Sequence, residues 1–134
     1  MIELTERVFV YGTLKSGGKV RGLNRMDGAE FISKAVTTNA GYDLIDLGAF
    51  PGAISKDPGF RISGEVWEIP IELMAVLDKI EGYPTLYNRK TIDTTQGSAI
   101  MYYLTEPGWY QNDPTSQNSE TIITNGDTLT WPLT

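Results

Sequence analysis

Ile69-Pro70-Ile71-Glu72-Leu73-Met74-Ala75-Val76-Leu77-Asp78-Lys79-Ile80-Glu81-Gly82 is the one stretch of this chain with convincing helical periodicity. Pro70 suits the first position of a helix, where an N–H is missed least, and Glu72 is favourable in the first turn. The spacing predicts a helix from Pro70 to about Glu81, with Gly82 as its stop. On a wheel of about 100° per residue, Ile71, Leu73, Met74, Val76, Leu77 and Ile80 form a broad apolar arc. Glu72 and Lys79 lie opposite. Glu81 falls inside the arc, four residues after Leu77, and Asp78 sits at its edge.

The sequence on either side of this helix reads as short strands. Arg7 to Tyr11 is β-branched and aromatic, as a buried strand requires. A Gly-rich loop follows at Gly12, Gly17 and Gly18, then a weak helical signal from Val20 to Met26. Strands are expected at Phe31–Thr38, Gly41–Leu47, Arg61–Ile69, Asn88–Thr94 and Ala99–Leu104, with turns at Asn39-Ala40, Phe50-Pro51-Gly52 and Gln96-Gly97. Residues 106–120 are rich in Pro, Asn, Ser, Gln and Gly and read as a long polar loop. Ile122-Ile123 and Leu129–Leu133 form a small terminal element. Many strands beside one helix predict an α+β domain on a small twisted or barrel-like sheet, a single domain over residues 1–134.

Composition narrows the chemistry. The chain has no cysteine and no histidine. Disulfides, thiol nucleophiles, thiolate metal sites, Ser-His-Asp triads and His-bearing zinc sites are therefore excluded. Acid–base work falls to Asp, Glu, Tyr or Lys. A net charge of −6 argues against binding nucleic acid through its phosphates. The basic residues Lys15, Lys19, Arg21 and Arg25 nonetheless cluster, either as a solvated loop or as local attraction for a small anion. No apolar run is long enough to span a membrane, and Met1 to Thr5 shows no secretory pattern, so a cytoplasmic protein is expected.

Two features carry chemistry. A carboxylate such as Glu81 aimed at a core is costly unless paired or protonated. Burial and the negative end of the helix dipole both raise its pKa, the tuning that general acid–base catalysis asks for. Two other readings stand beside this one: the helix frays and Glu81 meets water, or Glu81 pairs with Arg89. The second feature is Tyr11-Gly12-Thr13-Leu14-Lys15-Ser16-Gly17-Gly18, where glycine admits close backbone approach and successive N–H groups can hold an anion. Alternatively it is an ordinary Gly-rich connection. It is not a nucleotide-binding P-loop: in the window Thr13–Val20, Gly18-Lys19 is in place, but Thr13 replaces the first glycine and Val20 the hydroxyl that holds magnesium.

These pieces together resemble the gamma-glutamylcyclotransferase-like family. The resemblance runs through Val8-Phe9-Val10-Tyr11-Gly12-Thr13-Leu14, Phe50-Pro51-Gly52-Ala53, Gly64-Glu65-Val66-Trp67, Leu77-Asp78-Lys79-Ile80-Glu81-Gly82-Tyr83-Pro84, Tyr87-Asn88-Arg89, Ala99-Ile100-Met101-Tyr102-Tyr103 and Thr124-Asn125-Gly126-Asp127. It implies a small mixed β-barrel flanked by a few helices. It also implies Glu81 as the catalytic acid–base, Tyr11, Gly12, Thr13 and Leu14 as a substrate loop, and Tyr87 and Tyr103 as pocket residues. Glu65 reads as structural. The Glu-Gly-Tyr-Pro…Tyr-x-Arg stretch looks nearest to members acting on gamma-glutamylamines. Many members carry an Asn-His pair after the loop, whereas Val20-Arg21-Gly22-Leu23-Asn24 has no His.

The implied reaction converts a small gamma-glutamyl amine or amino acid to 5-oxoproline and a free amine, with no cofactor, nucleic-acid or membrane partner. The alternatives are an inactive binding or accessory protein on the same fold, or removal of a gamma-glutamyl protecting group in a biosynthetic pathway. For a chain without His or Cys, turnover is expected to survive excess EDTA unchanged. Activity lost in EDTA and restored by a divalent ion contradicts that expectation.

Overall fold

In a computed structural model, the structure describes residues 4–12, 14–15, 22–48, 50–105 and 122–132. Nine strands, one helix and one 3-10 turn follow along the described chain: β1 (Thr5–Val10), a 3-10 turn (Leu23–Arg25), β2 (Glu30–Val36), β3 (Tyr42–Asp46), β4 (Pro51–Ser55), β5 (Arg61–Pro70), α1 (Leu73–Glu81), β6 (Tyr87–Thr94), β7 (Gly97–Leu104), β8 (Ile123–Asn125) and β9 (Thr128–Thr130). The polar stretch 106–120 lies outside the described residues.

Seven strands form one mixed sheet in the order β6-β7-β1-β5-β9-β8, with β2 also on β5, while β3 and β4 pair as a separate two-stranded sheet. β1 runs antiparallel to β5 and parallel to β7. The sheet curls until the end of β2 meets the end of β6. Thr37 bridges Thr94, and the Thr95 N–H donates to the Val36 carbonyl at 2.9 Å. The α+β, barrel-like expectation describes this architecture.

Both faces of the central strands are buried, which explains their nearly continuous apolar runs. Val8 and Val10 of β1, Trp67 and Ile69 of β5, and Tyr102 and Leu104 of β7 pack against Met74 and Leu77 of α1. Their alternates, Phe9, Val66, Ala99 and Met101, fill the inside of the curl with Ile62 and Leu129.

Several expected boundaries move, for physical reasons. Pro70 is not the start of the helix but the last residue of β5, paired with Thr5, where a proline at a strand end costs little. The helix begins at Leu73 and buries a narrower stripe, since Ile71 and Val76 are 44% and 47% exposed. Pro51-Gly52 belongs to a strand; the turn precedes it, where the Leu47 N–H meets the Phe50 carbonyl and Asp46 Oδ1 accepts the Gly48 N–H at 2.7 Å. Gly48, with φ 98°, supplies the left-handed backbone that turn needs. Gly82 does stop the helix, at φ 66° and ψ 36°, and the Tyr83 N–H behind it donates to the Asp78 carbonyl at 2.8 Å.

Thr37 is fully buried at the seam of the curl. Its hydroxyl accepts the Ile62 N–H at 2.9 Å and donates to the Asn39 carbonyl at 3.1 Å. Thr37→Val keeps the shape but strands a buried N–H, so it should cost about 1–3 kcal/mol in urea unfolding. A loss within measurement error would show that the seam does not depend on this hydroxyl.

Candidate functional site

The end of β1, the start of β4, the last turn of α1 and strands β6 and β7 surround one cleft. It encloses about 470 Å³, part of it open to solvent. Tyr11, Gly12, Leu14, Glu81 and Tyr87 all line it, together with Phe50, Pro51, Ile80, Leu86 and Tyr102. Residues nominated from distant parts of the sequence thus come together. Thr13 lies outside the described residues.

Tyr103 is not among the lining residues, and its neighbour Tyr102 is. Successive strand residues face opposite ways. Tyr102 shares its face with Leu104, whereas Tyr103 packs with Met101 inside the curl and carries Lys90 Nζ at 4.9 Å from its ring centre. The alternation of β7 separates these two tyrosines, but only the position of α1 tells which face meets Glu81.

Hydrogen bonds to backbone frame the cleft. The Tyr11 hydroxyl accepts the Ala53 N–H of β4 and donates to the Tyr102 carbonyl of β7, both at 2.9 Å. The Tyr87 hydroxyl donates to the Pro51 carbonyl at 2.6 Å. Tyr102 donates its hydroxyl to Asp78 Oδ1 at 2.6 Å. Burial pushes the Tyr11 phenol far above its ordinary range, the Glu81 charge adds to this, and the Ala53 N–H opposes it. Burial likewise raises Tyr102, as do its bond to Asp78 and the Asp78 and Glu81 charges, against the pull of Arg89. Both phenols therefore remain neutral donors at working pH.

Glu81 is half-buried, and its charge is felt by the Tyr11 and Tyr102 hydroxyls. Arg89 pairs with Asp78, Nη1 to Oδ1 at 3.5 Å. The guanidinium also lies 4.8 Å from the centre of the Tyr83 ring. Burial works against the Arg89 charge, but the bond to Tyr83 and the charge of Asp78 outweigh it and raise its pKa.

The basic cluster divides. Lys15 is tied down, Nζ donating to the Trp131 carbonyl at 2.6 Å; burial lowers its pKa while the Glu65 charge resists that. Arg25 is exposed on the 3-10 turn, and Lys19 and Arg21 lie outside the described residues. Glu65 is buried and accepts the Trp67 indole N–H at 3.0 Å. Among the described residues no group of three or more acidic side chains is placed to hold a metal ion, and no helix is long and apolar enough to cross a membrane.

A family model described as Gamma-glutamyl cyclotransferase, AIG2-like matches residues 8–131. A putative gamma-glutamylcyclotransferase of Vibrio cholerae is 34% identical over 99 residues, covering 74% of this chain and 82% of that one. Gamma-glutamylaminecyclotransferase B of Danio rerio is 33% identical over 137 residues, covering 90% of this chain and 69% of its own. Among solved structures, an uncharacterized protein from Pyrococcus horikoshii superposes with a TM-score of 0.62 at 26% identity, covering 77% of this chain and 81% of that one.

Gly12 has little room: an added Cβ would stand 2.8 Å from two ring carbons of Pro51. Because Pro51 holds the Tyr87 hydroxyl, displacing it disturbs the cleft wall. Gly12→Ala should lower stability by about 1–3 kcal/mol in thermal or urea unfolding. An unchanged midpoint would show that Pro51 yields without strain.

Proposed function

As the chain belongs to the gamma-glutamyl cyclotransferase, AIG2-like family, we propose that this cyclotransferase converts a gamma-glutamyl amine to 5-oxoproline, with Glu81 as its one general acid–base. The observation that carries this reading is the convergence of Glu81, Tyr11, Gly12, Leu14 and Tyr87 on one cleft.

The chemistry is intramolecular. The substrate's α-amine attacks its own γ-carbonyl, a five-membered lactam closes, and the attached amine departs. Holding the chain in that geometry removes up to about 7–11 kcal/mol of entropic barrier in well-oriented cases. The α-amine arrives as an ammonium and cannot attack until it loses a proton. Glu81 takes that proton and later gives one to the departing nitrogen. One carboxylate thus serves both transfers, and the scheme calls on neither metal nor organic cofactor.

The cleft also suits the rest of the substrate. The Lys15 N–H donates to the Gly12 carbonyl at 3.0 Å beside the cleft. Backbone N–H groups of the Gly12–Leu14 loop would receive the substrate carboxylate or the developing oxyanion. Phe50, Ile80 and Leu86 offer an apolar wall for the carbon skeleton of the leaving amine. The name of the Danio rerio relative supports an amine rather than an amino acid as leaving group.

Glu81→Gln should lower 5-oxoproline release by about 10²–10⁴-fold or more, since Gln keeps the shape but cannot exchange a proton. Calorimetric binding of substrate and the melting temperature should hold. Near-normal turnover would end the assignment; loss of activity only through unfolding would make Glu81 a structural residue.

A further inference from the structure

Asp78 stands one turn before Glu81, three residues away on the same side of α1. Two neighbouring strands reach for it. Arg89 of β6 and Tyr102 of β7 are direct cross-strand partners, and both meet the same oxygen, Asp78 Oδ1, at 3.5 Å and 2.6 Å. The Asp78 backbone carbonyl is held as well, by the Tyr83 N–H at 2.8 Å, and the Tyr83 ring lies under Arg89. Main chain and side chain of one residue are thus fixed from two sides.

α1 has nine residues, too few to stand without tertiary anchors. Met74 and Leu77 are its buried apolar anchors, and both precede the last turn. In the last turn Ile80 packs on the core only partly buried, and Asp78 is the polar anchor that adds to it. An ion pair this exposed, at 21% and 30%, adds little stability by itself. The bond from Tyr102 is different, because the Tyr102 side chain also lines the cleft.

We propose that Asp78, clamped by Tyr102 and Arg89, is a positioning residue that sets the last turn of α1 and thereby aims Glu81 into the cleft. This rests on the reading of Glu81 as the acid–base. The clamp also holds one anion, Asp78, a turn from Glu81 along α1, and one cation, Arg89, against that anion. The ionisable groups that share the cleft or the clamp with Glu81 include Asp78 on α1, Tyr11 beside β1, Tyr87 and Arg89 on β6, Tyr102 on β7, and Tyr83 after the helix. With Tyr11 and Tyr102 held neutral by burial, the opposed charges of the clamp are Asp78 and Arg89.

The test compares Asp78→Ala, Asp78→Asn, Arg89→Gln and the double variant Asp78→Asn/Arg89→Gln with Glu81→Gln, using a gamma-glutamyl amine. Asp78→Ala should lower kcat about 10-fold or more with KM nearly unchanged. Asp78→Asn keeps an acceptor for Tyr102 and should retain more of kcat. Removing the Asp78 anion leaves Arg89 to favour ionised Glu81, so the acid limb of kcat/KM should move down by about half a pH unit or more. Arg89→Gln should move it up, and the double variant should return it toward the parent. Should Glu81→Gln remain active, the acid–base reading fails and this proposal with it. If Glu81→Gln is inactive while Asp78→Ala keeps its kcat, or the limb stays put in both single charge variants, positioning by Asp78 alone is overturned. The folded Asn and Gln variants decide the matter even where Asp78→Ala does not fold.

Discussion

The Tyr11 hydroxyl joins the two sheets of this protein. It accepts an N–H from β4 and donates to a carbonyl of β7, so the β3–β4 hairpin is seated on the main sheet where β1 ends. Tyr87 adds a second bond to the same strand through Pro51. The cleft exists because the hairpin sits there: Pro51 forms one wall, and the chain leaving β1 turns at Gly12 against it. A buried hydroxyl with both partners in place is well satisfied. Without it, the Ala53 N–H would lack this bond inside a packed core, a loss of about 1–3 kcal/mol.

That arrangement explains why the tyrosines serve as structure before chemistry. Tyr11 and Tyr87 spend their hydroxyls on backbone, and Tyr102 spends its own on Asp78. Burial keeps Tyr11 and Tyr102 neutral. Glu81 stands at the end of a helix and the edge of the cleft. Asp78, its neighbour on the helix, is occupied by Arg89 and Tyr102, so two carboxylates one turn apart have different surroundings.

Much of this was legible in the sequence where local chemistry decides. Gly82 had to stop the helix because a left-handed backbone favours glycine, and the periodic apolar residues before it had to face a core. Central strands were legible from their β-branched and aromatic runs. Features that depend on which strands become neighbours were not. Pro70 reads equally well as a helix start or a strand end until Thr5 is known to pair with it. Arg89 has two carboxylates within reach in sequence, and that it pairs with Asp78 emerges only from the packed structure. The choice between Tyr102 and Tyr103 is of the same kind, since alternation separates them but cannot say which face meets the helix.

If the proton needed for lactam closure passes through the Glu81 carboxyl group, the ionisation of that group must govern the rate. NMR titration of selectively labelled glutamate carboxyl carbons, with Glu81 assigned by substitution, gives the pH at which that group ionises. The same samples give the pH dependence of kcat/KM. The acid limb of the rate and the Glu81 titration should coincide. An acid limb that tracks another group, or a Glu81 titration displaced by more than about one pH unit from it, would show that the proton passes elsewhere.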